Sequence, residues 1–112
     1  MIFQTLDTNR HFENLARAFL SQNPGIRHEW RQIRSIWDGG RTDLICAPGE
    51  DNEVFASLRS WQITVGAGHE DEDFEDWGRD LSDEEVAKEA FVYFLGLLEK
   101  NGLFSANAAD HA

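Results

Sequence analysis

The chain has 112 residues, a length that suits one domain and is too short for two ordinary ones. An apolar fraction of 41% is sufficient for one hydrophobic core, and a single cysteine excludes an internal disulfide. The net charge of −11 lies almost wholly in residues 70–112, where thirteen acidic residues outnumber three basic ones. This acidity disfavours nucleic acid and anionic lipid as partners.

The N-terminal sequence predicts a cytoplasmic protein. Its first seven residues contain neither a basic segment nor a long apolar run, so they do not resemble a secretory signal. The sequence contains no stretch near the roughly 18 uninterrupted apolar residues that a membrane helix needs. The lone Cys46 is consistent with a reducing compartment. We therefore expect a soluble protein without a membrane partner.

An amphipathic helix is predicted near the N-terminus, after a short edge strand at residues 1–5. Asp7 or Thr8 can cap the helix, because either side-chain oxygen can accept a hydrogen bond from the first turn. The Asn-Pro-Gly sequence at residues 23–25 ends it, since proline disfavours helical geometry in the residue before it. One apolar stripe has helical spacing and is expected to face the core: Phe12, Leu15, Ala16, Phe19 and Leu20.

The middle of the chain predicts an antiparallel meander of about three to four strands. Residues 28–37 and 41–46 are predicted strands on either side of the Asp-Gly-Gly sequence at 38–40. That sequence is typical of a hairpin turn, because glycine accepts a positive φ. Residues 53–65 predict a further strand, whose apolar residues change parity near residues 57–59. The change indicates either a bulge or two shorter segments.

A long amphipathic helix near the C-terminus is the clearest predicted element. Ser82 and Glu85 form a capping-box sequence, and the apolar stripe continues to about Lys100. Together with the N-terminal helix, it predicts an α+β fold in which both helices pack on one face of the sheet. Residues 1–104 then form a single domain, and residues 105–112 form a flexible C-terminal tail.

The sequence matches no catalytic or cofactor motif, so we expect a binding protein rather than an enzyme, with no cofactor and no dedicated metal site. Cys46 has no histidine beside it in a recognisable motif, and a small buried thiol is the favoured interpretation. The glycines of residues 66–68 precede acidic residues, which would repel phosphate. A calcium loop beginning at Asp71 would place Asp76 where glycine is required and Ser82 where glutamate is required.

The strongest functional signal is the acidic, aromatic segment at residues 69–80, which is predicted to be a loop between the last strand and the last helix. Charge of this density attracts basic partners and speeds their association. Trp77 lies in the segment with Phe74, and aromatic side chains surrounded by charge are typical of interface hot spots. For Trp77, packing in the core is an equal alternative.

A strip of arginines, Arg27, Arg31 and Arg34, is the second charged feature. These side chains could form a second interface on one face of a strand. Internal pairing, with the acidic segment or with Glu29 and Asp43, is the favoured alternative.

The chain resembles small bacterial immunity proteins in its size, its acidity and the sequence of residues 61–104, WQITVGAGHEDEDFEDWGRDLSDEEVAKEAFVYFLGLLEKNGLF. Such proteins neutralise the toxic domains of contact-dependent and other polymorphic toxins. The resemblance implies a cytosolic protein that binds one cognate basic toxin domain, often a nuclease, and blocks its active site or substrate path. It also implies aromatic anchors at Phe74 and Trp77, with charged contacts at Glu70, Asp71, Asp73, Glu75, Asp76 and Asp80.

Other classes of function stay open on the sequence. A DNA-mimic inhibitor of a nucleic-acid-binding protein would use the same acidic surface on a different target. A small metal-dependent enzyme would use His69 and the carboxylates near it. A structural or oligomer-forming domain would pair through exposed strand edges.

Overall fold

The computed structural model describes residues 5–34, 40–59, 62–75 and 81–105, and these ranges contain two helices and five strands. The observed α+β class agrees with the prediction, but the sheet has five strands rather than three to four. The elements in chain order are α1 (Thr5–Gln22), β1 (His28–Ile33), β2 (Arg41–Cys46), β3 (Val54–Arg59), β4 (Ile63–Ala67), β5 (Glu70–Phe74) and α2 (Asp83–Lys100).

The five strands form one antiparallel meander in which each strand pairs with its neighbour in the sequence. β2 has the predicted bounds, and β1 begins at the predicted residue. Residues 53–65 contain two strands, β3 and β4, which is the second of the two alternatives drawn from the parity change. The chain reverses between them, where the backbone N–H of Arg59 donates to the Gln62 carbonyl at 3.0 Å.

Both helices pack on the same face of the sheet, as predicted. Successive side chains of a strand point to opposite faces, so the buried residues of one parity define the covered face. Leu44, Ala56 and Val65 are cross-strand neighbours on that face, and all three are fully buried. The other face of the sheet carries the alternate residues, and the core lies between the sheet and the two helices.

Phenylalanine side chains hold α1 against α2. Phe12 is fully buried, and its ring contacts Phe94 and Phe91 edge-to-face at centroid distances of 5.8 and 6.1 Å. Phe19 contacts Phe91 at 6.0 Å and Phe104 at 4.9 Å in the same manner. Each such pair contributes about 0.5–1.5 kcal/mol beyond the burial of its area. The predicted apolar stripes of the two helices therefore meet each other as well as the sheet.

α1 begins at Thr5, before the cap predicted at Asp7 or Thr8, and Thr8 is a buried helical residue. An acidic residue is also favourable inside the first turn, so a residue of capping type does not by itself fix the start of a helix. The end agrees with the prediction: the Asn23 side-chain amide donates to the Phe19 carbonyl at 2.8 Å, and the Asn-Pro-Gly sequence follows.

α2 has the predicted capping box. The backbone N–H of Glu85 donates to Ser82 Oγ at 3.2 Å, and the backbone N–H of Ser82 donates to Glu85 Oε1 at 3.1 Å. The helix ends at Lys100, and Gly102 then adopts a φ of 78°, a conformation that glycine tolerates. Of the two helices described, neither has the length and apolarity needed to cross a membrane.

Some predicted features fall outside the described residues. They are the first four residues of the edge strand predicted at residues 1–5, whose fifth residue begins α1, the first two residues of the 38–40 turn, most of the C-terminal tail, and the side chains Trp37, Trp61 and Trp77.

We expect Ser82→Ala to lower the free energy of unfolding by about 1 kcal/mol, because it removes the acceptor for an N-terminal amide of α2. Urea denaturation measures the change. Ser82→Asp is the matched control, since aspartate keeps a side-chain acceptor and should retain most of the stability. Equal stability of the alanine variant and the wild type would contradict the role assigned to the cap.

Candidate functional site

The acidic segment that was predicted to be a loop contains a β-strand. β5 pairs antiparallel with β4 and lies at one edge of the sheet. Intrinsic propensity disfavours acidic residues in strands, but at a sheet edge their side chains stay in water on both faces. The loop prediction is therefore wrong for residues 70–74.

A two-residue turn connects β4 to β5. Ala67 pairs with Glu70, so Gly68 and His69 are the central residues of the hairpin. Gly68 has a φ of 62°, which glycine adopts without steric cost and which favours a tight hairpin. His69 is exposed at this turn. The turn places the acidic residues directly alongside β4.

Gly66 allows β5 to lie close to β4. It pairs with Asp71, and a Cβ atom on Gly66 would lie 2.7 Å from Asp71 Cβ. The same atom would lie 2.8 Å from the Glu70 carbonyl oxygen and 2.9 Å from the Phe55 ring. Real Cβ atoms essentially never come within 3.0 Å of such neighbours. Glycine at this position thus leaves room for the neighbouring strand and for an aromatic ring on the face opposite the helices.

β5 presents carboxylates on both sides of the sheet edge. Glu70 and Glu72 pair with buried residues of β4 and therefore lie on the side of the helices. Asp71 and Asp73 lie on the opposite side, and all four side chains are exposed. We call these four residues the acidic edge.

The acidic edge is partly neutralised by its described neighbours. Lys100 Nζ, on α2, donates hydrogen bonds to both carboxylate oxygens of Glu70, at 2.8 and 3.2 Å. The Thr64 hydroxyl donates to Asp73 Oδ1 at 2.7 Å, which leaves the charge in place. Within the described ranges, the side chains of Asp71 and Glu72 have no hydrogen-bond or ion-pair partner. Among the described residues, the four carboxylates thus have one ammonium group, that of Lys100, as an ion-pair partner.

Phe74, which was predicted to anchor a partner, packs in the core of the protein. Its side chain is 7% exposed, and its ring centroid lies 5.7 Å from that of Tyr93 on α2. Phe74 ends β5 on the parity that faces the helices, opposite the buried Ile63. Its burial fixes the end of the acidic edge to the rest of the protein.

The remaining predicted contacts divide into two groups. Glu75 follows β5 and is half-buried. Asp76, Trp77 and Asp80 lie outside the described residues, so their roles stay predictions. Glu72 was not among the predicted contacts, although the structure places it in the middle of the acidic edge.

The arginines lie toward the opposite edge of the sheet. Arg31 on β1 pairs with Glu29, and Arg41 Nε donates to Asp43 Oδ1 at 3.1 Å. Arg27 binds a loop carboxylate at 3.1 Å. For Arg27 and Arg31 these contacts agree with internal pairing, the favoured alternative, whereas Arg34 is exposed and has no partner among the described residues. The partners do not include the acidic edge, because four strand spacings of about 4.8 Å separate β1 from β5.

Tyr93 is the single tyrosine of the chain and lies on α2 near the acidic edge. Desolvation raises the pKa of Tyr93 above its ordinary value of 10.0, and the charges of Glu70, Glu72 and Asp71 raise this pKa further. Lys100 acts in the opposite direction. The carboxylates disfavour the phenolate form because both carry negative charge.

The chemistry open to Cys46 and to the acidic edge follows from their surroundings. Burial raises the pKa of the Cys46 thiol to about 12, so this buried thiol is protonated and unreactive at neutral pH. Across the part of the chain that the structure describes, no group of three or more His, Cys, Asp and Glu side chains could hold a metal ion. The carboxylates of the acidic edge alternate between two faces and do not converge on one point. This arrangement suits contact with an extended cationic surface.

The sequence identified the charge of this site, but it did not predict that the acidic residues form a strand. The signal that could have found β5 is a two-residue Gly-His turn with an aromatic residue, Phe74, at the end of the acidic run. Phe74, which ends the acidic run, lies on the side of the strand that is buried under the helices.

We expect Gly66→Ala to lower the free energy of unfolding by about 1–3 kcal/mol, because the added methyl group would overlap the backbone of β5. Chemical denaturation measures the loss. The control is Gly96→Ala, an exposed position of α2 with no atom within 4 Å, which should stabilise by about 0.8–1 kcal/mol. A Gly66 variant as stable as the wild type would refute the close packing of β5.

We expect Glu72→Gln to lower the pKa of Tyr93 toward its ordinary value, since one of the charges that raise it is removed. Ultraviolet titration of the single tyrosine measures this pKa. Glu84→Gln removes a carboxylate from the first turn of α2 and serves as the matched control. An unchanged pKa in the Glu72 variant would show that the charge of Glu72 does not act on Tyr93.

Comparison of the chain with protein-family models, with curated proteins and with solved structures found no match.

Proposed function

We propose that this protein binds and neutralises a basic partner protein through the acidic edge. In its most specific form, the proposal is that the protein is an immunity protein, which inhibits a cognate bacterial toxin domain in the cytoplasm. The observation that carries the proposal is the position of the acidic edge, which places four exposed carboxylates on the outermost strand of the sheet. A nuclease is a suitable target, because its substrate path must itself attract phosphate.

Electrostatics favours a basic protein over other ligands. A cluster of unneutralised carboxylates repels nucleic acid and anionic lipid, and it raises the rate of encounter with a cationic surface by about 10- to 1,000-fold. Among the described residues, the Asp71 and Glu72 side chains have no ion-pair partner, so no described pair has to be broken before they bind lysine or arginine.

The rigidity of the acidic edge also favours tight binding. β5 is held by its pairing with β4 and by the burial of Phe74, so the backbone that carries its carboxylates is ordered before a partner arrives. A surface that is already ordered loses less conformational entropy on binding. Residues two apart on one face of a strand lie about 6.6–6.8 Å from each other, a spacing that suits separate cationic side chains.

A growth-protection experiment tests the proposal. The protein is co-expressed in bacteria with the basic toxin domain encoded beside it, and protection from the toxin is scored. We expect Asp71→Lys with Glu72→Lys to abolish protection, because like charges then face the toxin. Asp51→Lys with Glu84→Lys changes the net charge by the same amount on exposed residues elsewhere, and it should retain protection.

The dissociation constant should also rise steeply with salt for the wild type, since exposed charges are screened beyond about 10 Å at 0.1 M ionic strength. Equal protection by both double variants, together with binding that is insensitive to salt, would contradict the role of the acidic edge.

A further inference from the structure

We infer that the free edge of β5 accepts an extended segment of the partner, rich in lysine and arginine, as a sixth strand of the sheet. This inference rests on the proposed function and specifies its mode of binding. A strand at the end of a sheet carries backbone donors and acceptors on its outer side, and extended peptides commonly add to such edges.

The register of the hairpin assigns the backbone groups of this edge. The turn that closes at Ala67 and Glu70 directs the Glu70 N–H toward β4. Neighbouring residues of an antiparallel strand direct their N–H and C=O groups to opposite sides, so those of Asp71 and Asp73 point away from β4. These two residues therefore offer two donors and two acceptors to an added strand.

The edge is also open within the described ranges. Apart from its pairing with β4, β5 takes part in none of the backbone hydrogen bonds between the described residues. Its sequence contains no proline and its pairing with β4 contains no bulge, which are two common means of blocking an edge. The one protection of this edge that is present is its negative charge, which repels acidic strands and attracts basic ones.

That charge makes a second copy of the chain a poor occupant. Two β5 strands paired antiparallel would place the carboxylates of one acidic edge against those of the other, and like charges directly opposite destabilise a pair. β1, the other outer strand, has its Arg31 side chain already paired with Glu29. A strand with several unpaired cationic side chains complements β5 far better than either edge of the protein itself.

The arrangement of carboxylates predicts the sequence that β5 prefers. Asp71 and Glu72 are adjacent, lie on opposite faces and have no described partner. Glu70 is already paired with Lys100. The added strand should therefore carry two consecutive basic residues, one for each face, opposite Asp71 and Glu72.

The probe for this inference is the acetylated and amidated peptide Thr-Lys-Val-Arg-Lys-Val-Thr, N-methylated on alternate residues. Methylation of one edge prevents the peptide from pairing with itself and leaves its other edge able to pair with β5. The control peptide has the same charge and is N-methylated on both edges, so it cannot add as a strand. Fluorescence anisotropy gives both affinities, and amide hydrogen exchange reports on β5.

We expect the one-edge peptide to bind at least tenfold more tightly than the control and to slow the exchange of the Asp71 and Asp73 amides. Asp71→Asn with Glu72→Gln should weaken binding at least tenfold, whereas the matched pair Asp51→Asn with Glu84→Gln should leave it unchanged.

Equal affinities of the two peptides, with unaltered exchange at Asp71 and Asp73, would overturn strand addition. If that equal binding still depended on Asp71 and Glu72, the acidic edge would remain a binding surface and the proposed function would survive. Binding of neither peptide would overturn strand addition, and the growth-protection experiment would then decide the proposed function separately. A dimer in sedimentation experiments that protects the same two amides would assign the edge to a second copy and overturn the inference.

Discussion

The hairpin of β4 and β5 holds four consecutive carboxylates in a sheet, although their mutual repulsion favours an open chain. Two features at its ends hold it in place: the glycine at the Gly68 turn, and the Phe74 side chain buried against Tyr93. Between them, Gly66 leaves room for β5 to approach β4 closely. The acidic residues themselves add charge while contributing little to packing. The site therefore depends on a buried aromatic residue and on glycines as well as on its carboxylates.

The meander gives the protein two unlike edges. Arg31 on β1 forms an ion pair with the neighbouring Glu29. Among the described residues, the cation that pairs with the acidic edge is Lys100. Other acidic residues have local roles: those of the first turn of α2 lie beside the unbonded amides of the helix N-terminus, where negative charge is stabilising. Net charge therefore exaggerates the number of carboxylates that are free to attract a partner. Among the described residues, Asp71 and Glu72 of β5 are adjacent carboxylates without an ion-pair partner.

The sequence predicted the elements whose signals are local and periodic. The stripes of both helices, the capping box at Ser82 and the bounds of β2 all follow from spacing and from hydrogen-bonding chemistry within a few residues. β5 could not be predicted in this way, because its acidic residues lack strand propensity and its pairing depends on β4. The burial of Phe74 follows from the same register. Charge identified the site, and the fold determined which residues of the segment are exposed.

In the proposed binding mode, the cationic groups of a partner bind at β5 and not at the other acidic residues. The most direct measurement is a titration of the ¹⁵N-labelled protein with its basic partner, followed by NMR chemical-shift changes of the backbone amides. We predict the largest changes in residues 70–75 and in the neighbouring part of α2 around Tyr93, with small changes in the first turn of α2. Changes centred on the first turn of α2, or on the arginines near β1, would contradict the account.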